Sequence, residues 1–437
     1  MPERTAYQGG RPVYIVDGLR TPFIKFRGTP GPFSASDLAV TAGKALLLRQ
    51  SFAPDELDEV ILGCISPAAN ETNIGRLVAL RLGCGNRVPA WTVQRNCGSG
   101  MQAIDNAAQQ ISSGRSDLVL AGGTESMSHA PLLLSEKTAE LLGRWNQARS
   151  LGQRLKLLGQ LRPGHFKPVI SLLVGLTDPV VNLSMGQTAE NLAKRFDIDR
   201  EAMDRFALES HQRVAAAQQE DRFSEITPLF AANGTVYTED DGVRKDTDLE
   251  SLGRLKPAFD RPFGLVTAGN SAQVTDGAAL LLLASKAAVK RYNLPVLGRV
   301  LDSNWAGVDP AQMGLGPAHA MAPLLQRNAL STDQVDAWEI NEAFAAQVLA
   351  CLAAWQDPDY AKEDLGLEQP FDPIPQNLLN MDGGAVALGH PVGSSGARIV
   401  LHLLHALQQR DGKTGVASLC IGGGQGGAML IERTREV

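Results

Sequence analysis

The stretch Trp91-Thr-Val-Gln-Arg-Asn-Cys-Gly-Ser-Gly-Met101 is an apolar, strand-like run that stops at a cysteine and restarts as a helix. From Gly98 onward, small and apolar residues recur at helical spacing, with no proline until well beyond Gly114. A thiol at the start of a helix sits against unsatisfied N–H groups and the positive end of the helix dipole, which favour thiolate. Cys97 is so placed and reads as a nucleophile. A second cysteine also sits where an apolar strand-like run meets a glycine-rich turn, in Val416-Ala-Ser-Leu-Cys-Ile-Gly-Gly-Gly-Gln-Gly-Gly427. Neither Cys97 nor Cys420 has metal-ligand spacing or a CxxC partner, so the two isolated thiols call for a joint explanation.

A base is supplied by Gly383-Gly-Ala-Val-Ala-Leu-Gly-His-Pro-Val-Gly-Ser-Ser-Gly-Ala-Arg398, which sets His390 in a Gly/Pro-rich loop before a helix expected over about residues 395–409. Imidazole can take a thiol proton near neutral pH and return it. A fourth segment, Val335-Asp-Ala-Trp-Glu-Ile-Asn-Glu-Ala-Phe-Ala345, places Asn341 and Glu342 at another strand end, where an amide can orient a water or polarise a carbonyl. Any one of these segments alone could be an ordinary strand end. Their joint occurrence points to a catalytic centre.

The order of elements suggests two related halves. In the first, the strand before Cys97 is followed by a helix and by Asp117-Leu-Val-Leu-Ala-Gly-Gly123. In the second, Asn377-Leu-Leu-Asn-Met381 leads through the His390 loop and a helix to Gly415-Val-Ala-Ser-Leu-Cys-Ile421. Strand, helix and strand with short connections predict parallel sheets covered on both faces. The break between halves is expected near residues 290–295, giving domains 1–291 and 292–437. The first half is interrupted over about residues 124–266 by an excursion with a basic stretch, residues 144–156, and a second helix over 199–221.

The chain has 437 residues, a formal net charge of −6 and 44% hydrophobic residues, which fits a globular α/β protein of several units without a footprint for nucleic acid. Its five cysteines, an odd set without disulfide spacing, suit a reducing compartment, and Cys64, Cys84 and Cys351 read as small buried residues. No targeting or spanning segment is visible, since the run from Val169 is broken by Thr177, Asp178 and Pro179. A cytoplasmic location is expected.

Taken in order, Arg95-Asn-Cys-Gly-Ser-Gly100, Asn341-Glu-Ala-Phe-Ala345, Gly389-His-Pro-Val-Gly-Ser-Ser-Gly396 and Cys420-Ile-Gly-Gly-Gly-Gln-Gly426 resemble the four active-site motifs of the thiolases. Gly122-Gly-Thr-Glu-Ser-Met-Ser128, Met185-Gly-Gln-Thr-Ala-Glu-Asn191, Lys256-Pro-Ala-Phe-Asp260 and Thr267-Ala-Gly-Asn-Ser-Ala-Gln-Val-Thr-Asp-Gly277 resemble further thiolase signatures, so the likeness covers residues 13–431. It implies the five-layer αβαβα fold with the excursion as a loop domain over the coenzyme A arm. It also implies cleavage of 3-ketoacyl-CoA by coenzyme A through an acyl-cysteine, as in fatty acid β-oxidation. The alternative is condensation of two acetyl-CoA to acetoacetyl-CoA.

In that resemblance Cys97 is the nucleophile, His390 its base and Cys420 the acid–base at carbon. Asn341, through a water, and His390 stabilise the enolate, while the N–H groups of Cys97 and Gly422 form a second oxyanion site. Met185, Ser271 and Phe344 border the substrate, and Arg244 lies toward the adenine end of coenzyme A. Ala272 departs from the family, which commonly has Ser or Thr there to touch the pantetheine. The resemblance implies coenzyme A thioesters as substrates, no further cofactor or metal, and a homodimer or homotetramer. The longer stretches before residue 185 and over 354–375 resemble subunits that work beside a multifunctional hydratase and dehydrogenase. The basic stretch 144–156 is either a solvated helix face or a partner or membrane-surface contact. Three rival readings are a decarboxylating ketosynthase, a non-catalytic carrier that would be expected to lose one of the four polar groups, and an oxidoreductase. Cys420 in its glycine loop disfavours the first, the presence of all four groups the second, and the lack of a GxGxxG after a first strand the third.

Overall fold

The computed structural model describes residues 10–436. One ten-stranded sheet runs through the molecule. Its strands lie in the order Ala337–Ile340, Thr414–Ile421, Gln425–Glu432, Gly298–Gly307, Val13–Arg20, Thr275–Ser285, Leu118–Ser126, Glu59–Gly63 and Ala90–Val93, with the short Ile24–Lys25 against Thr275–Ser285. The central strands Leu118–Ser126 and Thr275–Ser285 are buried at every residue, as strands covered on both faces must be.

Three apolar cores separate five layers. One lies between the first arm of the sheet and the helices Ala35–Leu48 and Ile74–Arg81. The middle core holds the helices Ser99–Ser112 and Val392–Gln409 between the two arms, through Met101, Ile104, Ala108, Val400 and Leu404. A third core, built on Trp338, Trp355 and Leu324, packs the helices Gly316–Arg327 and Ala345–Gln356 on the second arm. The two arms share an edge only where residues 13–15 pair with 298–300.

The sheet corrects one expectation. Pairing is parallel only at the two ends, between Glu59–Gly63 and its two neighbours and between Ala337–Ile340 and Thr414–Ile421. Elsewhere it is antiparallel: Thr414–Ile421 returns as Gln425–Glu432 by a hairpin, and Leu118–Ser126 meets Thr275–Ser285 only after the long excursion, neither by a helical crossover. Residues 377–381, expected as a strand, make only an isolated bridge at Leu379 with Trp338. The helix after His390 starts at Val392, three residues earlier than its sequence pattern suggests, and the excursion leaves the sheet after Ser126 and rejoins it at Thr275. Asp199 caps the helix Arg200–Gln219 within it.

Glycines set how closely the middle helices approach. A Cβ on Gly123 would lie 1.9 Å from the Gly393 carbonyl oxygen, one on Gly100 2.8 Å from the Ala397 nitrogen, and one on Gly396 2.6 Å from the Met101 nitrogen. The starts of the Cys97 helix and the His390 helix therefore touch backbone to backbone.

Candidate active site

Cys97 follows Asn96, which takes the left-handed conformation (φ 43°), so the chain turns sharply between the strand and the helix. Ser99 Oγ accepts the Arg95 N–H at 2.8 Å and fixes that turn. Asn96 Nδ2 then reaches across to the Gly422 carbonyl at 2.8 Å and ties the Cys97 turn to the hairpin after Cys420. That hairpin closes through Gly423 and Gly424, both at positive φ, which an L side chain rarely adopts. The backbone N–H groups of Gly422 and Cys97 lie near enough to the Cys97 sulfur to favour its thiolate.

His390 hangs from the same junction. Its N–H donates to the Gln273 carbonyl at 3.0 Å, and its Nδ1 lies 2.6 Å from Ser395 Oγ, which itself donates to the Pro391 carbonyl. With the serine proton directed to Pro391, Nδ1–H is the donor to Oγ and Nε2 carries the lone pair. Nε2 is buried and has no partner among the described residues. Burial, with the Arg398 charge adding to it, pulls the imidazole down to about 4, so it is a neutral base at pH 7.

The thiols behave differently from the sequence expectation. Burial pushes Cys97 above the ordinary thiol range, outweighing the Gly422 and Cys97 N–H groups that favour thiolate, and Glu125 pushes in the same direction as burial. Burial pushes Cys420 up further, with Cys97 and Cys351 adding to it. The resting pair is thus thiol and neutral imidazole rather than a preformed thiolate. The short helix-end field is smaller than the desolvation of a sulfur in this interior.

Cys97, His390, Cys420, Met185, Ser271 and Phe344 line one cavity of about 280 Å³. Phe344 meets Phe259 edge to face at 6.1 Å across its wall, and Ser271 donates to the Thr267 carbonyl at 2.7 Å. Ala272 is on the wall as well. Gly422 is not on this wall but lines an adjoining cavity of about 370 Å³ on the other side of Cys97, with Glu125, Leu133, Val169, Leu172 and Val174. Met185 and Leu176 border both. Asn341, two residues before Ala343 of that wall, is fully buried, and neither atom of its amide has a partner among the described residues. Arg244 stands apart, in an open cleft of about 580 Å³ with Val243, Lys245 and Leu252. Gln273 links the two regions, since it lines the Cys97 cavity and donates to the Gly242 carbonyl at 2.8 Å.

Two contributions escape sequence reasoning. Glu125 is buried and accepts N–H bonds from Ile65, Ser66 and Gly393, clamping the His390 loop to the end of a distant strand. Its motif is visible in the sequence, but not its partners. Lys25 and Arg27 belong with Arg244 in one basic cluster, for burial and then the Arg244 and Arg27 charges lower Lys25. No local pattern signals that grouping.

A family model described as the N-terminal domain of thiolase matches residues 13–287, and one described as the C-terminal domain of thiolase matches residues 294–433. A β-ketoadipyl-CoA thiolase of Acinetobacter baylyi is 40% identical over 96% of this chain and 99% of its own length. A mitochondrial 3-ketoacyl-CoA thiolase of Homo sapiens is 39% identical over 97% and 99%. Among solved structures, the acetyl-CoA acetyltransferase of Bacillus anthracis superposes with a TM-score of 0.83 at 38% identity, covering 97% of this chain and 99% of that one. These matches run through both arms of the sheet and every segment of the site, and the chain belongs to the thiolase family, whose members are acyltransferases acting on acyl-CoA and coenzyme A.

Proposed function

We propose that this thiolase works in the degradative direction, splitting 3-ketoacyl-CoA of medium to long chain length, with acetoacetyl-CoA a weaker substrate. The observation that carries the reading is the pair of adjoining cavities that meet at Cys97. One holds His390 and Cys420; the other is walled by Leu133, Val169, Leu172 and Val174 and gives an apolar tail a place beyond the nucleophile. Ser184 supports it. Short-chain members of the family commonly have a histidine there, whereas this serine is small and its hydroxyl caps the helix Met185–Arg195.

The chemistry assigned to the residues balances as follows. As Cys97 Sγ attacks C3 of the substrate, its proton passes to His390 Nε2. The C2–C3 bond breaks, and the acetyl-CoA enolate takes a proton at C2 from the Cys420 thiol. The Cys420 thiolate removes the proton of incoming coenzyme A, whose sulfur attacks the acyl-Cys97 thioester. Cys97 leaves and recovers its proton from His390. The orphaned amide of Asn341 suits a water that, with His390, holds the enolate oxygen, and the N–H groups of Cys97 and Gly422 suit the tetrahedral oxyanion. Met185, on the walls of both cavities, borders the acyl group, Ser271 and Phe344 flank the substrate, and Arg244, grouped with Lys25 and Arg27, suits the phosphate end of coenzyme A.

The same reading divides the chain at 291/292, with the loop domain inserted in the first part, and places a homodimer or homotetramer in the cytoplasm, serving β-oxidation beside a hydratase/dehydrogenase. The alternative, acetyl-CoA acetyltransferase, finds support in a relative of that name in Allochromatium vinosum, 37% identical over 96% of this chain. Measuring kcat/KM from C4 to C16 decides between them. Each buried methylene contributes about 0.8 kcal/mol, so a few carbons in the second cavity raise kcat/KM by one to two orders of magnitude. A steep fall beyond C4 overturns the reading in favour of the acetyltransferase.

A further inference from the structure

Two residues on the wall of the Cys97 cavity carry a buried polar atom without a partner among the described residues: His390, through Nε2, and Gln273, through Oε1. The first is the base of the proposed reaction. The second takes no part in it. The hydroxyls of the same wall are engaged, for Thr177 donates to the Leu173 carbonyl, Ser184 to Gln187 Oε1 and Ser271 to the Thr267 carbonyl. Ala272, next to Gln273, brings no polar side-chain atom. A buried carboxamide oxygen is costly unless a donor meets it.

Packing fixes the orientation of the Gln273 amide. Its Nε2 donates to the Gly242, Ala387 and Val386 carbonyls at 2.8, 3.2 and 3.4 Å, so an oxygen cannot stand at that end and Oε1 takes the other. Position then indicates the donor. The Gln273 main-chain carbonyl accepts the His390 N–H at 3.0 Å, beside the reacting groups, while the side chain reaches Gly242, next to Val243 and Arg244 of the outer cleft. A ligand running from that cleft to Cys97 passes Gln273. Coenzyme A sends such a chain inward, its pantetheine arm, and the two secondary amides of the arm each offer one N–H.

We propose that Gln273 is a specificity-determining residue for the thiol substrate: its Oε1 accepts an amide N–H of the pantetheine arm, and its Nε2 holds the oxygen in place from behind. This deepens the reading of the cavity and rests on the arm running from Arg244 to Cys97.

The test compares acceptor thiols at saturating 3-ketoacyl-CoA: coenzyme A, pantetheine with both amides, N-acetylcysteamine with the inner amide alone, and 2-mercaptoethyl acetate, where an ester oxygen replaces that N–H. Each is measured with the wild type and with Gln273→Met, which keeps the length of the side chain and loses the acceptor; Gln273→Ala takes its place if it does not fold. The bond is made before and during the reaction alike, so its loss should raise KM for coenzyme A roughly tenfold and leave kcat within about threefold. The variant should also lose one preference of the wild type in kcat/KM. Loss of the preference for N-acetylcysteamine over 2-mercaptoethyl acetate assigns the bond to the inner amide, and loss of that for pantetheine over N-acetylcysteamine to the outer one. A role confined to structure, or an Oε1 met only by water, lowers the rate with every thiol alike and keeps both preferences, which overturns the proposal. A wild type indifferent to both exchanges overturns it without any variant. Arg244→Ala separates this result from the reading beneath it: it should raise KM for coenzyme A more than for pantetheine, which lacks the nucleotide. An equal effect on both removes the path of the arm and the Gln273 assignment with it, whereas a selective one beside unchanged preferences in Gln273→Met removes the Gln273 assignment alone.

Discussion

Two buried histidines belong to one stretch of chain, and their surroundings are opposite. His390 precedes the helix Val392–Gln409, with one nitrogen held by Ser395 and the other unpartnered beside two thiols, and burial takes it down to about 4. His402, inside that helix, has Nδ1 3.0 Å from Glu225 and Nε2 3.2 Å from Asp382. Burial alone would lower it too, but Glu225 and Asp382 prevail and raise it to about 10. Arg20, Asp240 and Arg222 complete that cluster. The difference lies in charge: His390 Nε2 faces no carboxylate among the described residues, whereas His402 at the seam between helix and excursion stands between two.

The largest test of the contrast is at the open end. Cys97→Ala should lower turnover by roughly 10⁴-fold or more and abolish the acyl adduct in intact-mass spectra. An acylated Cys97→Ala enzyme would remove the assignment. Cys420→Ala should stop proton exchange at the acetyl-CoA methyl, followed by NMR in deuterated water, yet still allow acyl transfer onto Cys97. Exchange at the wild-type rate would show that another group handles the carbon acid.

The histidine pair gives the sharper comparison. His390→Gln should cost roughly 10²–10⁴ in kcat with little change in melting temperature. His402→Gln removes the cation between Glu225 and Asp382, which keep Arg20 and Arg222, and should cost roughly 1–3 kcal/mol of stability, with kcat of the surviving folded enzyme within a few-fold. Exchanged outcomes, a stability loss at 390 and a catalytic loss at 402, would break the contrast.

The smallest effect is read in pH. Because His390 titrates about 4 in the fold, the acid limb of kcat/KM for the free enzyme should lie well below the usual imidazole value of about 6.5. The raised His402 stabilises the fold fully below its unfolded value of about 6.5, and that contribution is lost as pH rises toward 10. The stability gap between wild type and His402→Gln should therefore narrow from pH 6 to 10 by urea titration, and a constant gap would refute a charged His402.

What was legible in the sequence was local. Cys97, Cys420 and His390 each stand in a glycine-marked turn at the end of an element, and the structure puts the three on one cavity wall. The central antiparallel pairing was not legible, since strands 118–126 and 275–285 are joined by an excursion whose return no turn signal announces. The protonation of Cys97 was only half legible: the helix-end field can be seen from neighbouring residues, whereas the burial that pushes the thiol the other way depends on how the whole chain packs around it. Glu125 and the His402 cluster depend on partners distant in sequence.

The glycine contacts between the two middle helices have a bearing on how such an enzyme can change its diet. Because Gly100, Gly123, Gly393 and Gly396 set the spacing of Cys97 and His390 through main-chain contact, no side-chain exchange can retune it, and a single added methyl must push the reacting groups apart. The adjoining cavity beside Cys97 has no such constraint, for Leu133, Val169, Leu172 and Val174 all come from the excursion and can be resized one by one. The spacing of the reacting groups is therefore locked in the scaffold, while the walls beside them are free to drift.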